Sequence, residues 1–244
     1  MSKQKILVIV DPQNDFIEGG SLAVEGAKKA MTTLAAHVRA HHGEYDKIIV
    51  SLDTHHVTNL GFPQNWAGDT SRVIPGQPFP LDDVKSGKVY PKLRYTAAED
   101  AQTVLTQPGF MCWPMHCVKG TPGWKIFSEL EDALMQVPNK DKVIFLTKGE
   151  EDARDNYSIF HFGDRGLTKH ANPFKLWDAK YDNPDVYVTG LALDYCVYET
   201  VKSLQEISRE GTYTIYTSMT ASIQPQDIVS EMYERLPKKV NLKL

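Results

Sequence analysis

Five residues able to do nucleophilic, acid–base or metal chemistry stand at or just past the ends of strand-like runs in this 244-residue chain. Asp11 follows KILVIV (5–10), and Asp53 follows KIIVSL (47–52) with His55 two residues on. Lys148 closes the run that opens with KVIFL (142–146), and Cys196 follows VYVTG (186–190) across the turn LALDY. An aspartate after a strand is ordinarily a cap or turn residue, and a lysine there is ordinarily solvated. Their joint occurrence on four strands carries the functional reading, because open parallel sheets bind ligands outside the carboxyl ends of their strands. Cys196 falls where a helical pattern begins, and a helix N-terminus favours a thiolate, as would a nearby Lys148. Asp11 could take the thiol proton and later deliver it to a leaving amine. The backbone N–H groups of Ala192 and Cys196 could face an oxyanion. That set predicts an activated cysteine for acyl transfer, with no histidine base required.

Asp53 and His55 can point at one ion if the backbone leaving the strand stays extended. His116, in CWPMHCVKGTPG, is the candidate third ligand. An Asp/His/His set suits Zn²⁺, Fe²⁺ or Mn²⁺ and leaves positions open for water or substrate. His56 competes with His55, but its side chain leaves an extended chain on the opposite side. A structural zinc on Cys112, His116 and Cys117 is the alternative. Neighbouring Cys and His cannot easily ligate one ion together, and no C-x₂-C pair is present; Cys112 and Cys117 read instead as small buried hydrophobes.

The elements that must position these groups are strands of almost continuous apolar residues, the pattern of a parallel sheet covered on both faces. TYTIYT (212–217) adds a fifth run. Helical faces lie between the runs, as Ala27, Met31, Leu34, Ala35 and Val38, as Phe127, Leu130, Leu134 and Val137, and as Val197, Val201, Leu204 and Ile207, with Gly211 as a stop. The expected fold is therefore α/β, a three-layer α/β/α sandwich around a mostly parallel open sheet. We read residues 1–244 as one domain with a long loop insertion at about 57–112, within which residues 97–106 could form a short helix. A second loop-like stretch spans 162–185. Hydrophobic content of 41%, charged content of 24% and a net charge of −4 fit a globular chain and argue against nucleic acid as a partner. No apolar run approaches a membrane span, and the N-terminus shows no cleavable signal pattern. Three cysteines, an odd number, fit a reducing cytoplasm better than a disulfide scaffold.

Several of these segments together resemble the nicotinamidases of the isochorismatase-like hydrolase superfamily. They are VIVDPQNDFIEGGSLAVEGA, SLDTHH, WPMHCVKGTPG, LTKG with DNYSIF, and VTGLALDYCV, in the family's order from residue 6 to about residue 223. The resemblance implies a catalytic triad of Asp11, Lys148 and Cys196, and one divalent metal on Asp53, His55 and His116, with Zn²⁺ ahead of Fe²⁺ and Mn²⁺. It implies a cis peptide at Leu191–Ala192, and substrate contacts from Phe16, Trp66, Tyr157, Leu191 and Ala192. The implied activity is hydrolysis of nicotinamide to nicotinate and ammonia in NAD salvage, with pyrazinamide also accepted. An amidase for another small amide, a ureido or carbamoyl compound, is the alternative. The expected partner is the small-molecule substrate, and a homo-oligomer is compatible with the sequence. Three departures stand out: the insertion is longer than in compact members, DNYSIF replaces a more usual Ser-Tyr-Ser-Gly/Ala-Phe, and Leu193 stands where Thr is common.

Overall fold

The computed structural model describes residues 3–92, 97–107, 109–154, 156–160, 183–207, 210–237 and 239–243. In chain order the strands are β1 (Lys5–Val10), β2 (Lys47–Asp53), β3 (Trp66–Gly68), β4 (Val89–Pro91), β5 (Val143–Lys148), β6 (Asp185–Leu191), β7 (Thr212–Ala221) and β8 (Asn241–Lys243). The helices are α1 (Ala27–His41), α2 (Leu81–Lys85), α3 (Ala97–Leu105), α4 (Ser128–Met135), α5 (Cys196–Ile207) and α6 (Gln226–Glu234). All five strand-like runs of the sequence form strands, and they make five of the six strands of one sheet. Its order is β5-β2-β1-β6-β7-β8, and every pairing in it is parallel.

Alternate residues of β1 feed two cores, as the pleat requires. Leu7 and Ile9 join α1 and α4 on one face; Ile6, Val8 and Val10 join α5 and α6 on the other. The helical face read on α1 is buried throughout, and so are Val197, Val201 and Leu204 of α5. The outcome is the three-layer α/β/α arrangement with a parallel sheet. α5 runs toward residues 208–209, outside the described residues, so its stop near Gly211 is not described. β8 is three exposed residues added to the sheet edge, too short to show a period.

The insertion carries more order than an irregular loop. β3 and β4 pair antiparallel, α2 is a single turn and a half, and α3 occupies the position expected for a short helix. Leu60, Trp66, Val73, Phe79, Val84, Val89, Val104, Phe110 and Cys112 form a separate apolar cluster, into which Ala153 from the segment after β5 also packs. Residues 162–182 of the second loop-like stretch lie outside the described residues, while Asp185 already belongs to β6. Among the described residues, no helix is long and apolar enough to cross a membrane.

Candidate active site

The chain runs outward from β1 through β2 to β5, then returns to lay β6 on the other side of β1. The strand order therefore reverses between β1 and β6, the point at whose carboxyl edge open parallel sheets bind ligands. β2 and β5 end in register, with Asp53 opposite Lys148. On β6, Gly190 (φ +111°) lies against β1 so closely that a Cβ would stand 2.1 Å from the Val10 carbonyl oxygen. Only glycine permits that approach. The next peptide, Leu191–Ala192, is cis, as the family resemblance implied. The turn that follows is tied down at several points. Leu193 N–H donates to the Ala221 carbonyl at 2.8 Å, and the Asp194 carboxylate accepts the N–H groups of Ile223 and Gln224 at 3.0 and 2.8 Å. Cys196 is then the first residue of α5.

At the end of β1 the chain enters the left-handed region at Asp11 (φ 44°), an uncommon state for a non-glycine residue that swings its carboxylate across the sheet edge. Ser51 anchors it, donating from Oγ to Asp11 Oδ1 at 2.7 Å and accepting the Asp11 N–H at 3.1 Å. The Lys148 ammonium lies 2.9 Å from Asp11 Oδ2, 3.0 Å from Asp53 Oδ1 and 3.5 Å from Cys196 Sγ. The Asp11 carboxylate thus faces both that ammonium and the Cys196 thiol.

Burial shapes the protonation of all three groups. It pushes the Asp11 carboxyl up; Lys148 and the Ser51 hydrogen bond oppose this, and the Asp53 charge adds to it. Burial would lower Lys148, but Asp11 and Asp53 outweigh it and hold the ammonium firmly charged. Burial pushes the Cys196 thiol well above its usual range; Lys148 opposes, while Asp11 and Asp53 reinforce. The resting residue is thus a thiol, rather than the thiolate that its place at a helix start predicts.

Beyond β2 the chain stays extended. His55 N–H donates to the Cys117 carbonyl at 3.0 Å and Lys119 N–H donates to the His55 carbonyl at 2.9 Å, which sets His55 beside His116. Asp53 Oδ2 lies 3.0 Å from His55 Nε2 and 3.2 Å from His116 Nε2. Burial would raise Asp53, yet His55, Lys148 and the His116 contact hold its carboxyl well below the usual range. The other ring nitrogens face backbone carbonyls: His55 Nδ1 at 2.9 Å from Gly149 O, and His116 Nδ1 at 2.8 Å from Pro114 O. A carbonyl can only accept, so each Nδ1 carries the proton and each Nε2 of a neutral ring is bare. Asn59 Nδ2 stands 3.2 Å from the same His55 Nδ1, but the carbonyl contact is shorter. Three electron-pair donors then converge on one point, with the ligand atoms all within 4.8 Å of one another. The Asp53, His55 and His116 donor set fits a divalent cation.

Phe16 is buried with its ring 5.5 Å from that of His116, and Phe62 meets both histidine rings edge-on at 5.4 and 5.6 Å. Tyr157 accepts a hydrogen bond from Trp113 Nε1 at 3.1 Å, and Trp113 stands edge-on to Tyr195. Trp66 packs elsewhere, in the insertion's own core against Phe79, with its indole N–H on the Leu60 carbonyl at 2.7 Å. Ser51, Phe62, Gln13 and Gly149 are site residues that motif reading passed over. Gly149 (φ +77°) had a readable signal, since a glycine directly after a strand-end lysine asks for a backbone reason. A Cβ there would stand 2.7 Å from His55 Cε1 and 2.8 Å from Asp53 Oδ1.

The parallel α/β/α sheet is the fold shared with solved nicotinamidase and pyrazinamidase structures. The chain is 27% identical to the nicotinamidase of Saccharomyces cerevisiae over 95% of both chains. It is 26% identical to the nicotinamidase/pyrazinamidase of Mycobacterium tuberculosis over 98% of this chain and 97% of that one. The structure of the yeast nicotinamidase bound to the inhibitor nicotinaldehyde superposes with a TM-score of 0.71 at 23% identity, covering 98% of this chain and all of that one. A pyrazinamidase of Pyrococcus horikoshii in complex with zinc covers 99% of each chain with a TM-score of 0.60 at 18% identity. No family model matches the chain. The resemblance to nicotinamidases read from the motifs is borne out across nearly the whole length.

Proposed function

We propose that this protein is a nicotinamidase, hydrolysing nicotinamide to nicotinate and ammonia through a thioester on Cys196 and acting on pyrazinamide in the same way. The observation that carries this reading is the contact of one buried ammonium, Lys148, with Asp11, Asp53 and the Cys196 sulfur, beside three convergent metal-ligand atoms. Relatives named nicotinamidase over almost the full chain support it.

As the carboxamide carbon reaches Sγ, the thiol proton passes to Asp11 and the C–S bond forms. The carbonyl oxygen becomes an oxyanion facing the N–H groups of Ala192 and Cys196. Asp11 returns the proton to the nitrogen, the C–N bond breaks and ammonia leaves. Asp11 then takes a proton from water, whose oxygen attacks the thioester carbon. Collapse releases nicotinate and regenerates the thiol. Lys148 stays charged throughout and balances the negative charge on either partner. Asp53, His55 and His116 would hold one divalent ion, Zn²⁺ ahead of Fe²⁺ or Mn²⁺, which when bound supplies a Lewis-acid anchor for the ring nitrogen. Phe16 and Phe62 wall that side. The reading includes a reducing, cytoplasmic setting, in keeping with three buried free cysteines.

Ammonia release from nicotinamide by the purified protein is the test. Cys196→Ala should lower it by about 10³-fold or more. Undiminished turnover in that variant would remove Cys196 as nucleophile, and turnover of a ureido compound with none of nicotinamide would replace the substrate.

A further inference from the structure

Gln13 is fully buried and has no part in the bond-breaking steps, yet its side chain holds the site's central residue from both sides. Gln13 Oε1 accepts the Asp53 N–H at 2.7 Å, and Nε2 donates to the Asp53 carbonyl at 2.7 Å and to the Trp124 carbonyl at 2.9 Å. The reason lies in the backbone. The β1–β2 ladder continues as far as Asp11 N–H on the Ser51 carbonyl. There the left-handed turn at Asp11 carries the main chain away, and the Asp11 carbonyl accepts the Gln13 N–H instead. Asp53 would be left without a neighbouring peptide on that side. A primary amide presents the same donor and acceptor as a peptide group, and Gln13 extends the ladder by one step with side-chain atoms.

The third bond of Gln13 reaches the loop that carries His116. Trp124 accepts from Gln13 through its carbonyl and donates from its indole Nε1 to Thr54 Oγ1 at 2.9 Å. Gln13 thereby joins the Asp53–His55 segment to the loop bearing the third candidate ligand. Asp53 leaves no slack in this arrangement, because its Oδ1 meets Lys148 and its Oδ2 faces both histidines.

We infer that Gln13 is a positioning residue that sets the metal affinity of the Asp53/His55/His116 site by fixing the Asp53 backbone relative to the His116 loop. The inference rests on the metal-site reading above. Groups that orient metal ligands typically change affinity by about 10–100-fold when removed.

The test uses the full chain, stripped of metal, reloaded with Zn²⁺ and titrated against a chromophoric chelator. Gln13→Met removes all three hydrogen bonds at similar volume. Gln13→Glu keeps an acceptor for the Asp53 N–H and serves if the methionine variant does not fold. A folded variant should bind Zn²⁺ at least about 10-fold more weakly, and its turnover of nicotinamide should recover as Zn²⁺ is raised. A variant that melts earlier without metal yet binds Zn²⁺ within about twofold of the parent would overturn the inference and leave Gln13 a purely structural residue. If the unaltered protein binds no Zn²⁺, Fe²⁺ or Mn²⁺, the metal reading itself fails, a result distinct from equal binding by parent and variant.

Discussion

Replacing Lys148 with methionine isolates the charge at the centre of the site while keeping most of the side-chain volume. The residue is 1% exposed and touches two carboxylates and the Cys196 sulfur. Removing it strands Asp11 and Asp53 in a buried setting, and breaking a buried pair from one side costs about 3–5 kcal/mol. A chain of this size loses about 2–4 °C of Tm per kcal/mol, so Tm should fall by about 6–20 °C near neutral pH. The deficit should depend on pH in a definite direction. Asp53 is held well below its ordinary value, so it contributes stability above its unfolded pKa that is lost as pH falls through the folded one. Without Lys148 that contribution shrinks. Asp11, already pushed up by burial, loses its opposing charge, so it protonates at still higher pH and relieves the strain as pH falls. The gap between parent and variant is therefore widest at neutral and alkaline pH, narrows as the variant's Asp11 protonates, and goes on closing below the ordinary carboxylate range as the parent's Asp53 protonates. Calorimetry of metal-free protein across that pH span measures it. A deficit that stays constant with pH would refute the electrostatic account and reduce Lys148 to a packing residue.

Gly149→Ala forces an alanine into a left-handed conformation, costing about 1–2 kcal/mol, and drives its Cβ into the His55 ring; weakened Zn²⁺ retention against a chelator is expected, and unchanged retention would show that the ring can move freely. Asp11→Asn should lower turnover by about 10²–10⁴-fold while speeding alkylation of Cys196 at fixed pH, because Asp11 is one of the groups that push the thiol up. Slower alkylation in that variant would mean that Asp11 ionises the resting cysteine.

The sheet and its strand-end chemistry were legible because parallel, doubly covered strands write themselves as short apolar runs, and the residues just past them must share one edge. The insertion was less legible. Trp66, Phe79, Val89 and Phe110 meet through β3, β4 and turns too short to impose a period, so a second core hides in what reads as loop. The resemblance offered Trp66 as a substrate contact, and it packs in that core. Gln13 was invisible because its role exists only across the sheet, where a side chain replaces a peptide that Asp11 has turned away. The protonation of Cys196 depended on burial, which no motif records; the lysine was readable, and burial outweighs it.

That resting thiol changes what the triad must accomplish. Burial pushes both Cys196 and Asp11 up, so it opposes placing a second negative charge on either group while the other stays ionised. Proton transfer between them leaves the net charge of the buried cluster unchanged, since a negative charge merely moves from carboxylate to sulfur. Lys148 touches both ends of that path, 2.9 Å from Asp11 Oδ2 and 3.5 Å from Sγ, and so compensates the charge wherever it rests without moving. Asp53 holds the same ammonium from the other side at 3.0 Å, which keeps it from following either partner. A preorganised cation of this kind avoids reorganisation during the chemical step. Between turnovers the protonated sulfur is a poor target for oxidants. The burial that disfavours the thiolate therefore also shields Cys196 from oxidation.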